Sequence, residues 1–154
     1  MKIMLDTQIY DLLAAKPALI VSLNTLQQAS AVSILSTQIQ EDELAGIKDA
    51  GKAAEVAKIR RERVSTAGAV FGVSKYGTGT YGDGSDSGIS IDEVRSPSKG
   101  HTRDALIATS ASKHADVLVT EDDRLARRLS NLTPRCQVWS FSMFEKWIIA
   151  QSGC

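Results

Sequence analysis

Four short, β-rich apolar runs, each followed by a stretch with helical spacing, constrain this chain more than any other feature. The runs are Ile3–Leu5, Ala31–Leu35, Val117–Val119 and Gln137–Phe141. Gln38–Lys48, Lys52–Val64, Arg103–His114, Asp122–Leu132 and Ser142–Gln151 carry apolar residues three and four apart, the repeat of one helix face. Strands that alternate with helices pair in parallel through crossover connections. The expected fold class is α/β, a three-layer α/β/α sandwich around a central, mostly parallel sheet.

A length of 154 residues suits one domain with one core, and 43% hydrophobic with 23% charged residues is ordinary globular composition. Collagen-like, coiled-coil and wholly disordered readings are excluded. Eighteen Lys+Arg balance eighteen Asp+Glu, so there is no global basic field, and any site for a polyanion has to be local. Cys136 and Cys154 show neither metal-ligand spacing nor the density of a secreted disulfide framework. Asp6 interrupts the first apolar run before a signal-peptide core forms, and Ala18–Val21 is far too short to span a bilayer. The expectation is a cytoplasmic protein with no membrane contact.

Eight of the eleven glycines fall between Gly68 and Gly100, in a Gly/Ser-rich insertion over about residues 65–100. It has no phosphate-loop spacing and no Gly-Lys-Ser/Thr. It reads as a lid or binding loop, or simply as an insertion. Tyr76 and Tyr81 within it are candidates to stack on unpaired bases. Trp139 and Trp147 read as core, and His101 and His114 show no ligand spacing.

Four acids sit where an inward-facing helical stripe starts or runs. Asp6 ends the first strand and is followed by Ile9, Tyr10 and Leu13 on one helical face. Glu43 lies between Ile39 and Ile47 on the apolar stripe of its helix, with Glu41 and Asp42 displaced from it. Asp104 precedes Ile107, Ala108 and Ala111, and Asp122 precedes Leu125, Ala126 and Leu129. Any one of these acids reads equally well as a helix cap. Thr37–Gln40 and Thr120–Asp123 both have capping-box form, which accounts for Gln40 and Asp123 but not for four inward acids.

Asp6 and Asp122 follow strands at the sheet edge where open α/β folds bind ligands. Carboxylates converging there repel one another and are costly to desolvate unless a cation compensates them. All-oxygen donors suit Mg²⁺ or Mn²⁺, which keep open positions for water and a phosphate.

Met4-Leu5-Asp6-Thr7-Gln8-Ile9-Tyr10 resembles the opening strand and first acid of the PIN domain. Asp104-Ala105-Leu106-Ile107-Ala108 and Leu118-Val119-Thr120-Glu121-Asp122 resemble its two later acidic motifs, in the same order and spacing. The family's second acid, followed by Leu, is matched by Glu43-Leu44, with Glu41 and Asp42 as open alternatives. The Gly/Ser-rich segment departs from the compact members of the family. The resemblance implies an α/β/α sandwich and an Mg²⁺- or Mn²⁺-dependent endoribonuclease, often the toxin of a bacterial toxin–antitoxin pair. It further implies a homodimer, a small antitoxin protein as partner and RNA as substrate. Asp6, Glu43, Asp104 and Asp122 would hold the metal and a water for attack on the phosphodiester, with Thr7 and Thr120 orienting them.

Lys58-Ile59-Arg60-Arg61-Glu62-Arg63, late in a predicted helix, and Arg124, Arg127 and Arg128 are candidate phosphate contacts. The first run reads in the first place as a solvated helix face whose cations suit the helix C-terminus, and only second as a phosphate contact. The alternative function is a non-catalytic PIN-like module that binds RNA or a protein. A haloacid-dehalogenase-type phosphatase needs a second acid two residues after Asp6, where this chain has Gln8.

Overall fold

A computed structural model describes residues 1–67, 79–80, 102–123, 126–127, 129 and 135–153 of the chain. The first strand, β1 (Lys2–Leu5), leads into α1 (Thr7–Ala14) and α2 (Pro17–Gln28) before β2 (Ser33–Ser36). Then come α3 (Gln38–Ala45), α4 (Ala50–Ala57), β3 (Glu62–Arg63), β4 (Thr66–Ala67) and β5 (Gly79–Thr80). The helix α5 (Thr102–His114) precedes β6 (Val117–Val119), β7 (Gln137–Trp139) and α6 (Phe141–Ser152). Five strands form one sheet in the order β3-β2-β1-β6-β7, every neighbouring pair parallel. The short strands β4 and β5 form a separate parallel pair.

Period-two geometry explains why the strands read as continuous apolar runs. Ile3, Leu5, Ile34, Val117 and Val119 enter one core cluster, and Met4, Leu35 and Leu118 enter another. The first cluster takes in Ile9, Tyr10 and Leu13 of α1, Leu19, Ile20 and Leu23 of α2, and Phe144 and Ile148 of α6. The second takes in Ile107, Ala108 and Ala111 of α5, together with Leu129. Helices therefore cover both faces, and the architecture is the three-layer sandwich expected. Trp139 and Trp147 pack against the first cluster, ring centroids 5.9 Å apart. Cys136 is a buried free thiol, pushed up to about 11 by burial. Among the described residues no single helix is long and apolar enough to cross a membrane.

Three expectations are corrected. The single helix over Lys52–Val64 is instead α4, ending at Ala57, followed by the edge strand β3. Its basic run is thus a turn and a strand pairing with Leu35 and Ser36 of β2. The strand expected over Gln137–Phe141 stops at Trp139, because Ser140 caps α6 by accepting from the Met143 amide at 3.3 Å. Thr120–Asp123 is not a capping box. The Thr120 hydroxyl accepts from the Asp122 amide, two residues on, and Asp123 is already helical.

One helix, α2, had no counterpart in the sequence reading, although Pro17 at its first turn and Leu19, Ile20, Leu23 and Leu26 on one face signal it. It closes on a Schellman turn: the Ser30 amide donates to the Gln27 carbonyl and the Ala31 amide to the Leu26 carbonyl, each at 3.0 Å. Ser30, at φ 57°, occupies the left-handed position usually given to glycine. The Gly/Ser-rich segment beyond β4 and β5, with Tyr76 and Tyr81, lies outside the described residues, as do His101, Arg124 and Arg128.

Candidate functional site

The chain leaves β1 toward β2 and β3 on one side and returns to β6 and β7 on the other, so strand order reverses between β1 and β6. At such a switch point the loops at the carboxyl ends diverge and leave a crevice. Asp6 follows β1 and Thr120 follows β6 at this switch point. The Asp6 amide donates to the Val119 carbonyl at 2.9 Å, so the two exits are tied side by side.

Asp6 occupies the N-cap position of α1, yet its side chain makes no capping hydrogen bond. It is 3% exposed, and its Oδ2 accepts from the Thr120 hydroxyl at 2.8 Å. A hydroxyl has one proton to donate and lone pairs to accept with. Thr120 gives its proton to Asp6 and takes the Asp122 amide at 3.1 Å. One side chain therefore fixes both the first acid and the turn bearing the last. Asp122 sits at the start of the next helical turn, its carbonyl receiving the Ala126 amide at 2.8 Å.

The second acid comes from α3. The Thr7 hydroxyl, one residue past Asp6, donates to Glu43 Oε2 at 2.6 Å. Its two neighbours face elsewhere. Asp42 is exposed and accepts from Gln38 Nε2 at 2.8 Å. Glu41 takes Arg61 Nε on Oε1 at 2.8 Å and Arg61 Nη2 on Oε2 at 3.2 Å, a two-pronged pair. Burial pushes the Glu41 carboxyl up, but the hydrogen bonds and charge of Arg61 outweigh it and hold the group below its usual range. Of the three adjacent acids, Glu43 is the one bonded next to Asp6.

Asp104 lies in the first turn of α5, whose described face packs on the sheet, but its side chain lies outside the described residues. Among the described residues no group of three or more His, Cys, Asp or Glu side chains is placed to hold a metal ion. The structure thus links Asp6, Glu43 and Asp122 through Thr7 and Thr120. Two of these links are side-chain bonds to carboxylates and the third runs through the Asp122 backbone.

The cations of the basic run divide. Arg61 is committed to Glu41 and to the Val56 and Ile59 carbonyls at 2.9 and 3.2 Å, with its guanidinium 5.8 Å from the Tyr10 ring centre. Lys58 pairs with Glu55. Arg63 is exposed opposite Ser36 at the carboxyl edge and donates to Gln38 Oε1. Arg127 donates to the Asp123 carbonyl at 3.2 Å. His114 ends α5 at the opposite end of the sheet, held below its usual value by burial and by Lys113.

Gln40 carries a contact that the sequence reading missed. It completes a capping box with Thr37, as its spacing predicts, but its Nε2 also donates to the Leu5 carbonyl, the residue before Asp6. The capping spacing was legible, whereas the reach to β1 spans 35 positions and has no local signature.

No family model, no curated protein and no solved structure matches this chain.

Proposed function

We propose that this chain is an Mg²⁺- or Mn²⁺-dependent endoribonuclease of the PIN-domain kind, with Asp6, Glu43, Asp104 and Asp122 as its metal-holding acids. The observation that carries this reading is Asp6. A buried carboxylate at the N-terminus of a helix normally caps it, and this one is instead turned to the hydroxyl of a neighbouring strand at the switch point. Burying an acid costs several kcal/mol, on the order expected for an ion removed from water, and that cost is tolerated where function requires it.

The donor set fits the ion. Carboxylates, with two threonine hydroxyls behind them, form an all-oxygen group suited to a hard divalent cation and not to zinc. The chemistry such a cation supplies is a water acidic enough to attack a phosphodiester, with compensation of charge on the leaving oxygen. The chain's own residues do the rest. Thr120 fixes the Asp6 carboxylate and the Asp122 turn, and Thr7 fixes Glu43 beside them. The N-termini of α1 and α3 open at the same edge, and the positive ends of their dipoles favour a phosphate there. Arg63 lies two strands from Asp6, roughly 10 Å at ordinary strand spacing, where a flanking phosphate of the RNA would pass. In this reading the chain works as a homodimer and a small antitoxin protein blocks the crevice.

The test is calorimetric titration of Mn²⁺ into the chain, Asp6→Asn and Asp104→Asn, with cleavage of a fluorogenic single-stranded RNA measured on the same samples. The expected result is saturable binding and cleavage in the native chain. Each variant should lose cleavage by at least ~100-fold, more than the 10–100-fold seen for groups behind the ligands. Thermal stability should be unchanged, or higher in Asp6→Asn. A folded native chain that neither binds Mn²⁺ nor cuts RNA overturns the proposal in favour of a non-catalytic binding module.

A further inference from the structure

The bond from Gln40 to β1 occupies a particular place in the sheet. In a parallel ladder the rungs repeat every two residues along each strand. The Ser33 amide donates to the Met1 carbonyl at 2.9 Å, and Lys2 and Met4 stand opposite Ser33 and Leu35. Continued by the same step, the Thr37 amide would face the Leu5 carbonyl. The Leu5–Asp6 peptide is oriented for it, because its N–H already points to β6, which turns its carbonyl toward β2.

That rung is not made directly. The Thr37 amide donates to Gln40 Oε1 at 2.9 Å, and Gln40 Nε2 donates to the Leu5 carbonyl. The carboxamide of Gln40, 0% exposed, is inserted between the two strands as a substitute rung. It holds β1 and β2 one amide apart at the point where Asp6 leaves the sheet. It does so from α3, three residues before Glu43 and so on the same helix face.

We propose that Gln40 is a positioning residue. Its amide sets the separation of β1 and α3, and through it the meeting of Glu43 with Thr7 and Asp6 on which metal binding depends. The inference rests on the reading of Asp6 and Glu43 as metal-holding acids. An ordinary cap does not need the second bond. Glu serves as well as Gln at this position of a capping box, because only an acceptor oxygen is required there. A substitute rung does need it, and an ionised carboxylate has no proton to give the Leu5 carbonyl, although a Glu buried there takes up a proton and restores the bond.

The experiment uses Gln40→Met, which removes both bonds and leaves no proton-bearing group to replace them. Mn²⁺ affinity is measured by calorimetry, thermal stability by circular dichroism, and water exchange of the Gln40 side-chain amide by NMR in the native chain. The proposal expects slow exchange of that amide. It also expects a Gln40→Met protein that is folded at 25 °C and binds Mn²⁺ roughly 10–100-fold more weakly, the range for groups that orient metal ligands. Unchanged Mn²⁺ affinity in Gln40→Met, or a Gln40 amide that exchanges like an exposed glutamine, overturns it. If the native chain binds no Mn²⁺, the metal reading fails and the positioning role with it. Slow exchange in that same sample then separates the failed metal site from a failed bridge. Should Gln40→Met not fold, Gln40→Asn, which keeps the amide but shortens its reach, takes its place under the same outcomes.

Discussion

At the amino end of the sheet, polar groups meet in the open. The Lys2 amide donates to Asp116 Oδ2 at 2.7 Å and the terminal ammonium to the Ala31 carbonyl at 3.0 Å, all among exposed residues. At the carboxyl end a set of polar side chains is buried. Asp6, Ser36, Thr37, Gln40 and Thr120 lie there, and the remaining buried polar side chains among the described residues are Thr109, Ser110 and Ser112 of α5. Exposed partners trade one water bond for another and change stability little. Buried ones hold fixed positions because losing a partner is costly. One end of the sheet simply ends, whereas the other is built to keep particular atoms in place.

Breaking that contrast should have its largest effect at Thr120. Thr120→Val keeps the shape but removes the donor to Asp6 and the acceptor for the Asp122 amide. A loss of about 1–3 kcal/mol in urea unfolding is expected. Mn²⁺ affinity should fall roughly 10–100-fold with it. A Thr120→Val protein that binds metal normally would make the carboxyl edge as indifferent as the amino edge.

Arg61 comes next. Arg61→Met should cost about 2 kcal/mol, within the range for hydrogen bonds to a charged group, while leaving RNA affinity unchanged. Because Glu41 is held below its usual range, its contribution is full above about pH 4.5 and is lost as pH falls through the lower folded value. Unfolding measured from pH 7 to 3 should therefore show a steeper acid decline in the native chain than in Arg61→Met. A drop in RNA binding instead would return Arg61 to the phosphate contacts. The smallest effect is expected at Asp116, where Asp116→Ala should move stability by no more than ~0.5 kcal/mol and leave Mn²⁺ binding untouched.

The strands β1 and β6 were legible because both faces of each are buried and the apolar residues run on unbroken. The strand β3 was not. Its two residues, Glu62 and Arg63, are exposed and owe their conformation to pairing with β2, while Val56 and Ile59 continue the helical spacing that hid the break. The same division holds at the site. Asp6 and Asp122 could be placed from the strands before them, and Glu43 from its stripe. The hydroxyl that holds Asp6 lies 114 residues away, and only the folded chain brings it there.

That separation has a meaning in time. Translation adds about 5–20 residues per second, so roughly 6–23 s elapse between the emergence of Asp6 and that of Thr120. For most of that interval β2 has been made, but β6, the other neighbour of β1 in the sheet, has not. A nascent chain carries Asp6 long before it carries the hydroxyl that completes the geometry around it. A pairing this distant in sequence also slows folding, since the loop must close before the contact rewards it.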